Sequence, residues 1–158
     1  MESVTPQDIS YLERAVALAW EARERGDHPF GALLVTPGEE VVEARNSVVT
    51  GSDPTGHAES NLVRLAGRLD RGALSRGTLY TSTEPCAMCA GAIYWSGIGR
   101  VVFALSEAEL GTLVEEEEGV PPLDLPCREV FARGGRSIVV DGPVGLPAAV
   151  EVHQGFWN

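Results

Sequence analysis

The sequence predicts an α/β protein, a three-layer α/β/α sandwich around a mixed five-stranded sheet. Three observations carry this. Helix-period and strand-period segments alternate along the chain without an internal repeat or a long linker. The strand candidates are short apolar runs bounded by turn residues. The chain has 158 residues, 44% hydrophobic and 22% charged, which suits one domain over residues 1–158 with one sizeable core.

The elements follow in order. Thr5 is a candidate N-cap with Pro6 at the first helical position, and Ile9, Leu12, Val16, Ala19 and Trp20 recur at helical spacing until Gly26 stops the helix. "FGALLVT", from Phe30 to Thr36, reads as a buried strand. "PGEE" is its turn, and "VVEARN", Val41 to Asn46, its hairpin partner. A second helix is expected from about His57 to Gly67. "TLYTS" at 78–82 is a strand that hands over to a helix from Pro85 to about Gly97. "RVVFA" at 100–104 and "SIVV" at 137–140 complete the sheet, and a last helix follows Pro147. The acidic and Pro-rich stretch between those last two strands gives no clear pattern.

Composition narrows the function. No apolar run approaches the ~20 residues that span a bilayer, and the first twenty residues lack the basic-then-apolar order of a signal peptide. A soluble cytoplasmic protein is therefore expected, in keeping with three cysteines too few and too close for a disulfide framework. The chain has 12 basic residues, all arginine, against 23 acidic ones, a formal charge of -11. Such a surface repels a phosphate backbone, so nucleic acid is not the expected partner.

Chemistry concentrates in "STEPCAMCAGAIYW", Ser82 to Trp95. Cys86 and Cys89 fall on the first turn of a helix, where one face carries both sulfurs and the N-terminus favours thiolates. By themselves they could equally be small core residues or a redox pair. Upstream, in "TGHAESNLV", His57 offers a nitrogen ligand with Glu59 two positions on. Inside a regular helix, residues i and i+2 point roughly 200° apart. The two converge on one site only if His57 sits at the helix start, and the preceding "SDPTG" favours a loop ending there.

Together these form the H-x-E … P-C-x-x-C pattern of zinc nucleobase deaminases. Two thiolates and one imidazole leave a fourth zinc position for water, as in a catalytic site. Zinc lowers the pKa of a bound water toward ~7. Glu59 is then free to carry that water's proton to the substrate.

On those residues the chain resembles the cytidine deaminase superfamily, on the branch shared by guanine deaminases and tRNA adenosine deaminases. The similarity runs through "HPFGALLV", "ARNSVVTGSDPTGHAE", "LYTSTEPCAMCAGAIYWSGIGRVVFA" and "VHQGFW". The acidic charge and "GAIYW" favour a free base over tRNA. The resemblance implies hydrolytic deamination of an aminated base, guanine to xanthine first. Cytosine, isocytosine or an aminotriazine is the alternative; a tRNA adenosine deaminase or a structural zinc module is the less favoured one. It implies His57, Cys86 and Cys89 as zinc ligands and Glu59 as proton shuttle. It also implies Asn46 bonding the base, Phe30 and Trp95 lining the pocket, and the Ala58 backbone touching the ring. Relatives carry an acidic residue after the fourth strand, here assigned to Glu117 in "VEEEEG", and a C-terminal aromatic lid over the neighbouring subunit's site, here Trp157 or Phe156. A homodimer is implied, with the Cys86–Trp95 helix near the contact. His28 and His153 receive no role, and Cys127 is read as a small buried residue.

Overall fold

The computed structural model describes residues 4–114 and 120–157. It opens with α1 (Pro6–Glu24), whose N-cap Thr5 accepts a hydrogen bond from the Asp8 backbone while the Asp8 carboxylate accepts one from the Thr5 backbone. This reciprocal capping satisfies two donors that a helix start leaves open. There follow β1 (Gly31–Val35), β2 (Val41–Arg45), α2 (Ala58–Ala66), α3 (Arg71–Ser75), β3 (Thr78–Thr83), α4 (Ala87–Ser96), β4 (Arg100–Leu105), α5 (Glu107–Leu113), α6 (Cys127–Ala132), β5 (Val139–Asp141) and α7 (Pro147–Glu151).

The strands form one mixed sheet in the order β2-β1-β3-β4-β5. β1 pairs antiparallel with β2 and β3, while β3, β4 and β5 run parallel, with α4 crossing from β3 to β4. Strand side chains alternate between faces. Ala32, Leu34, Leu79, Val101 and Phe103 therefore join α2, α4 and α6 in one buried cluster. Leu33, Tyr80, Val102 and Ala104 join α1 and α7 in the other. The sandwich expected from sequence is present.

α1 lies close on the sheet because β1 opens with Gly31. A Cβ there would run into the Ala15 carbonyl oxygen and the backbone of Ala19. Gly97 ends α4 at φ 88, in the left-handed region that glycine tolerates without cost. Some boundaries differ from expectation. β5 runs 139–141 rather than 137–140, and α4 begins at Ala87 rather than Pro85. The short helices α3, α5 and α6 were not foreseen. At five to seven residues they are too short to show helical periodicity, and tertiary contacts hold them.

Candidate active site

Two helix starts meet at the C-terminal end of β3. His57 is the N-cap of α2 (φ −73, ψ 156) and Cys86 the N-cap of α4 (φ −66, ψ 171). Both have extended dihedrals, and neither side chain caps its own helix. The imidazole and the thiol instead turn toward each other. His57 Nδ1 lies 3.5 Å from Cys86 Sγ and 3.6 Å from Cys89 Sγ, and the three donor atoms all fall within 4.8 Å of one another. Zinc bonds of ~2.0 Å to nitrogen and ~2.3 Å to sulfur at a tetrahedral angle separate the two atoms by about 3.6 Å. The donor set thus fits zinc in both chemistry and spacing, with three protein ligands. The extended His57 also resolves the i, i+2 difficulty, since Glu59 enters the same site from the first turn of α2.

The loop leading into His57 is held from several sides. Asp27, fully buried, accepts hydrogen bonds from the backbones of Val49 and Thr50 (2.9 Å each), from the Thr50 hydroxyl (2.7 Å) and from Arg25 Nε (2.7 Å). Arg25 in turn donates to the Asn46 carbonyl (2.7 Å). Asn61 of α2 donates to the Arg45 carbonyl (2.9 Å) and to Ser47 Oγ (2.8 Å). Asn46 follows β2 directly and is buried. Its side-chain oxygen accepts from the Val48 backbone at 3.0 Å, so the side-chain NH2 is the end left for a ligand.

These elements line a cavity of about 70 Å³. His57, Glu59 and Cys86 line its metal side; His28, Phe30, Asn46, Thr83, Glu84 and Glu107 line the rest.

The zinc-binding region of cytidine and deoxycytidylate deaminases matches residues 5–105 of this chain. The chain belongs to that family. It is a zinc-dependent deaminase of nucleobases or nucleosides. It is 39% identical to a probable cytosine deaminase of Schizosaccharomyces pombe, across 98% of this chain and 95% of the relative. It is 43% identical to the guanine deaminase of Bacillus subtilis over 63% of this chain and 65% of that protein. A solved tRNA:A34 deaminase superposes with TM-score 0.71 at 25% identity, across 91% of this chain and 99% of that one.

The electrostatics of the deaminase site follow from burial and from the sulfurs. Glu59 is 6% exposed, and burial, with the Cys86 charge behind it, pushes its carboxyl up to about 7. Cys86 is drawn down to about 4 by its hydrogen bond with Cys89 and its contact with His57, although burial opposes this. The same bond and burial push the Cys89 thiol up.

Of the residues singled out in the sequence, His57, Glu59, Cys86, Asn46 and Phe30 line the cavity, and Cys89 stands beside it. Ala58 is buried in the first turn of α2 but is not among the lining residues. Trp157 is half-buried, with its ring centroid 6.1 Å from Phe30 and 5.3 Å from His28. The C-terminal segment therefore packs beside the cavity of its own chain. Trp157 Nε1 donates to His153 Nδ1 at 3.1 Å, and Arg23 holds the carbonyls of Val152 and Gln154 at 2.8 and 2.7 Å.

Trp95 is not brought to the cavity: it is 85% exposed on the outer side of α4, whose inner side carries Cys89, Ala90 and Ile93. The helical phase carried that signal, because Trp95 lies roughly 200° around the helix from Ile93. Glu117 lies outside the described residues. Among the described residues, the acidic lining residue after the fourth strand is Glu107, at the start of α5, which the sequence reading did not single out. Burial, reinforced by the nearby Cys86 and Glu84 charges, pushes it up to about 7. Glu84 was missed as well. Its carboxylate accepts from the Glu107 backbone (3.1 Å) and the Cys127 backbone (3.0 Å), holding the starts of α5 and α6 beside the metal ligands. Cys127 is fully buried.

Proposed function

We propose that this deaminase acts on a free aminated nucleobase, guanine first, releasing ammonia. The observation that supports this most directly is the lining of the cavity. Metal donors, a buried carboxylate and an amide donor face one small space, with the chain's own aromatic C-terminus packed alongside. Zinc, held by His57, Cys86 and Cys89, would act there as a Lewis acid that makes water nucleophilic at neutral pH. Glu59 takes a proton from the attacking water, delivers it to the ring nitrogen beside the amino-bearing carbon, and later protonates the departing amine. Asn46 hydrogen-bonds an acceptor on the base through its side-chain NH2. Phe30, backed by Trp157, gives the planar ring an apolar wall. Glu107 serves as a second acid at the cavity, in the role first assigned to Glu117.

Cytosine is a second reading. The Schizosaccharomyces pombe relative matches 98% of this chain, including the C-terminal segment, whereas the guanine deaminase matches 63%. tRNA is disfavoured by the -11 charge, which repels a phosphate backbone. The outer side of α4, with Trp95 85% and Met88 38% exposed, supports a homodimer through that face. Among the described residues, no helix is long and apolar enough to cross a membrane. The three free thiols accord with a reducing cytoplasm.

Ammonia release from guanine, cytosine, isocytosine, ammeline, adenosine and tRNA tests the reading. Faster turnover of tRNA than of every free base would overturn it. Turnover of cytosine alone would replace guanine and leave the mechanism standing. Metal analysis of a Cys86→Ser, Cys89→Ser double variant tests the ligands, and full zinc occupancy there would refute them.

A further inference from the structure

We propose that Thr83 contacts the substrate, its hydroxyl hydrogen-bonding the polar edge of the base; this rests on reading the cavity as a base pocket. Three hydroxyl side chains follow one another at the end of β3. Thr81 donates to the Thr83 carbonyl at 2.9 Å, and Ser82 accepts from the Gly31 backbone at 3.2 Å. Thr83, 2% exposed, is the exception, because its Oγ1 is shielded and has no hydrogen-bond partner.

Buried polar groups are almost always paired, because an unmade hydrogen bond in the interior costs stability. A hydroxyl left open in this way marks either a defect or a missing ligand. Its position argues for the ligand, since Thr83 lines the same cavity as Asn46, Glu59 and Glu107. Among the described residues the other shielded atom without a partner is His153 Nε2, which is not a lining group. Asn46 offers its NH2 donors, while its oxygen already accepts from Val48. The Thr83 hydroxyl can donate or accept, so the two together can read an edge that carries both kinds of group, as nucleobases do.

The arrangement makes opposite demands on stability and binding, and a Thr83→Val variant separates them. Valine keeps the shape and removes only the unpaired hydroxyl. In the zinc-loaded protein without base, Thr83→Val should melt at or above the wild-type temperature. Its KM for whichever of guanine and cytosine the wild type deaminates should rise about tenfold, with kcat little changed. Thr83→Ser keeps the hydroxyl and should retain the wild-type KM. A fall of several degrees in the Thr83→Val Tm would assign the hydroxyl to the fold and overturn the proposal. So would an unchanged KM, or a Thr83→Ser variant as impaired as Thr83→Val. A wild type that deaminates neither base would remove the base-pocket reading and this proposal with it. That outcome is distinct from a wild type that turns over and a Thr83→Val variant that matches it.

Discussion

Two clusters of buried polar groups hang on β3 and β4, and they are built in opposite ways. At one end Asp8, 4% exposed, accepts two hydrogen bonds from Arg100 at 3.0 Å each, one from the Tyr80 hydroxyl and one from the Thr5 backbone. Arg100 also reaches Asp141 at 3.1 Å. Burial pushes the Asp8 carboxyl up, but the Arg100 and Tyr80 hydrogen bonds outweigh it and hold the group well below the usual carboxylate range. At the other end Glu59 is buried and Glu107 half-buried, neither with a cationic side chain bonded to it, and their carboxyls rise to about 7. Thr83 is unpaired beside them, and Asn46 uses only one end of its amide. A buried charge with all its partners ties α1 to the sheet and stabilises the fold. A buried polar group left short of partners around a cavity is held ready for a substrate.

The comparison can be broken from either end. The largest effect is expected at Glu59. Glu59→Ala should lose ~10²–10⁴-fold in turnover while keeping zinc and its melting temperature. Steady-state kinetics with metal analysis checks this, and loss of zinc would recast Glu59 as a ligand. The opposite pattern is expected at the other cluster. Asp8→Ala leaves the buried Tyr80 hydroxyl without its acceptor and the half-buried Arg100 with only Asp141, which should lower stability by about 1–3 kcal/mol. Chemical denaturation would measure that, and turnover per folded molecule should not change. A large activity loss without a stability loss would merge the two clusters.

Asn46→Ala comes next, removing an interaction worth roughly 1–3 kcal/mol and lowering kcat/KM by about one to two orders of magnitude. A variant with unchanged kcat/KM would reduce Asn46 to a turn residue. The smallest effect concerns the C-terminal segment. Burial, with the Arg23 charge beside it, holds His153 down at about 4 from an ordinary value of 6.5. The folded state therefore resists protonating it. Stability from this group is complete above about pH 6.5 and is lost as pH falls toward 4, at up to ~1.4 kcal/mol per pH unit. Melting curves at pH 7 and pH 5 should show a steeper acid loss in wild type than in His153→Phe. Parallel losses would show that the C-terminal packing does not depend on a neutral His153.

Much of the site was legible because its signals are local. Thr5-Pro6 starts α1, and the "SDPTG" loop ends at a histidine in the N-cap position of α2. The P-C-x-x-C motif puts one cysteine at the cap of α4 and the other three residues later on the same side. What stayed hidden depended on distant partners. Glu107 is one of several glutamates in the sequence; what singles it out is Glu84, which bonds its backbone from 23 residues away. Trp95 differs: its helical phase already set it away from Ile93, and its place next to the motif outweighed that signal.

The sequence by itself determined the ligand types, their place at helix starts, the acid between them and the alternating pattern that makes a sheet between helix layers. These follow from capping, periodicity and donor chemistry, which act over a few residues. Only the tertiary structure decided that Glu107 reaches the cavity, which hydroxyl of β3 is left without a partner, and that the aromatic C-terminus packs beside the chain's own site. Each of those depends on groups tens of residues apart arriving in one place, where burial raises the cost of every unmade hydrogen bond.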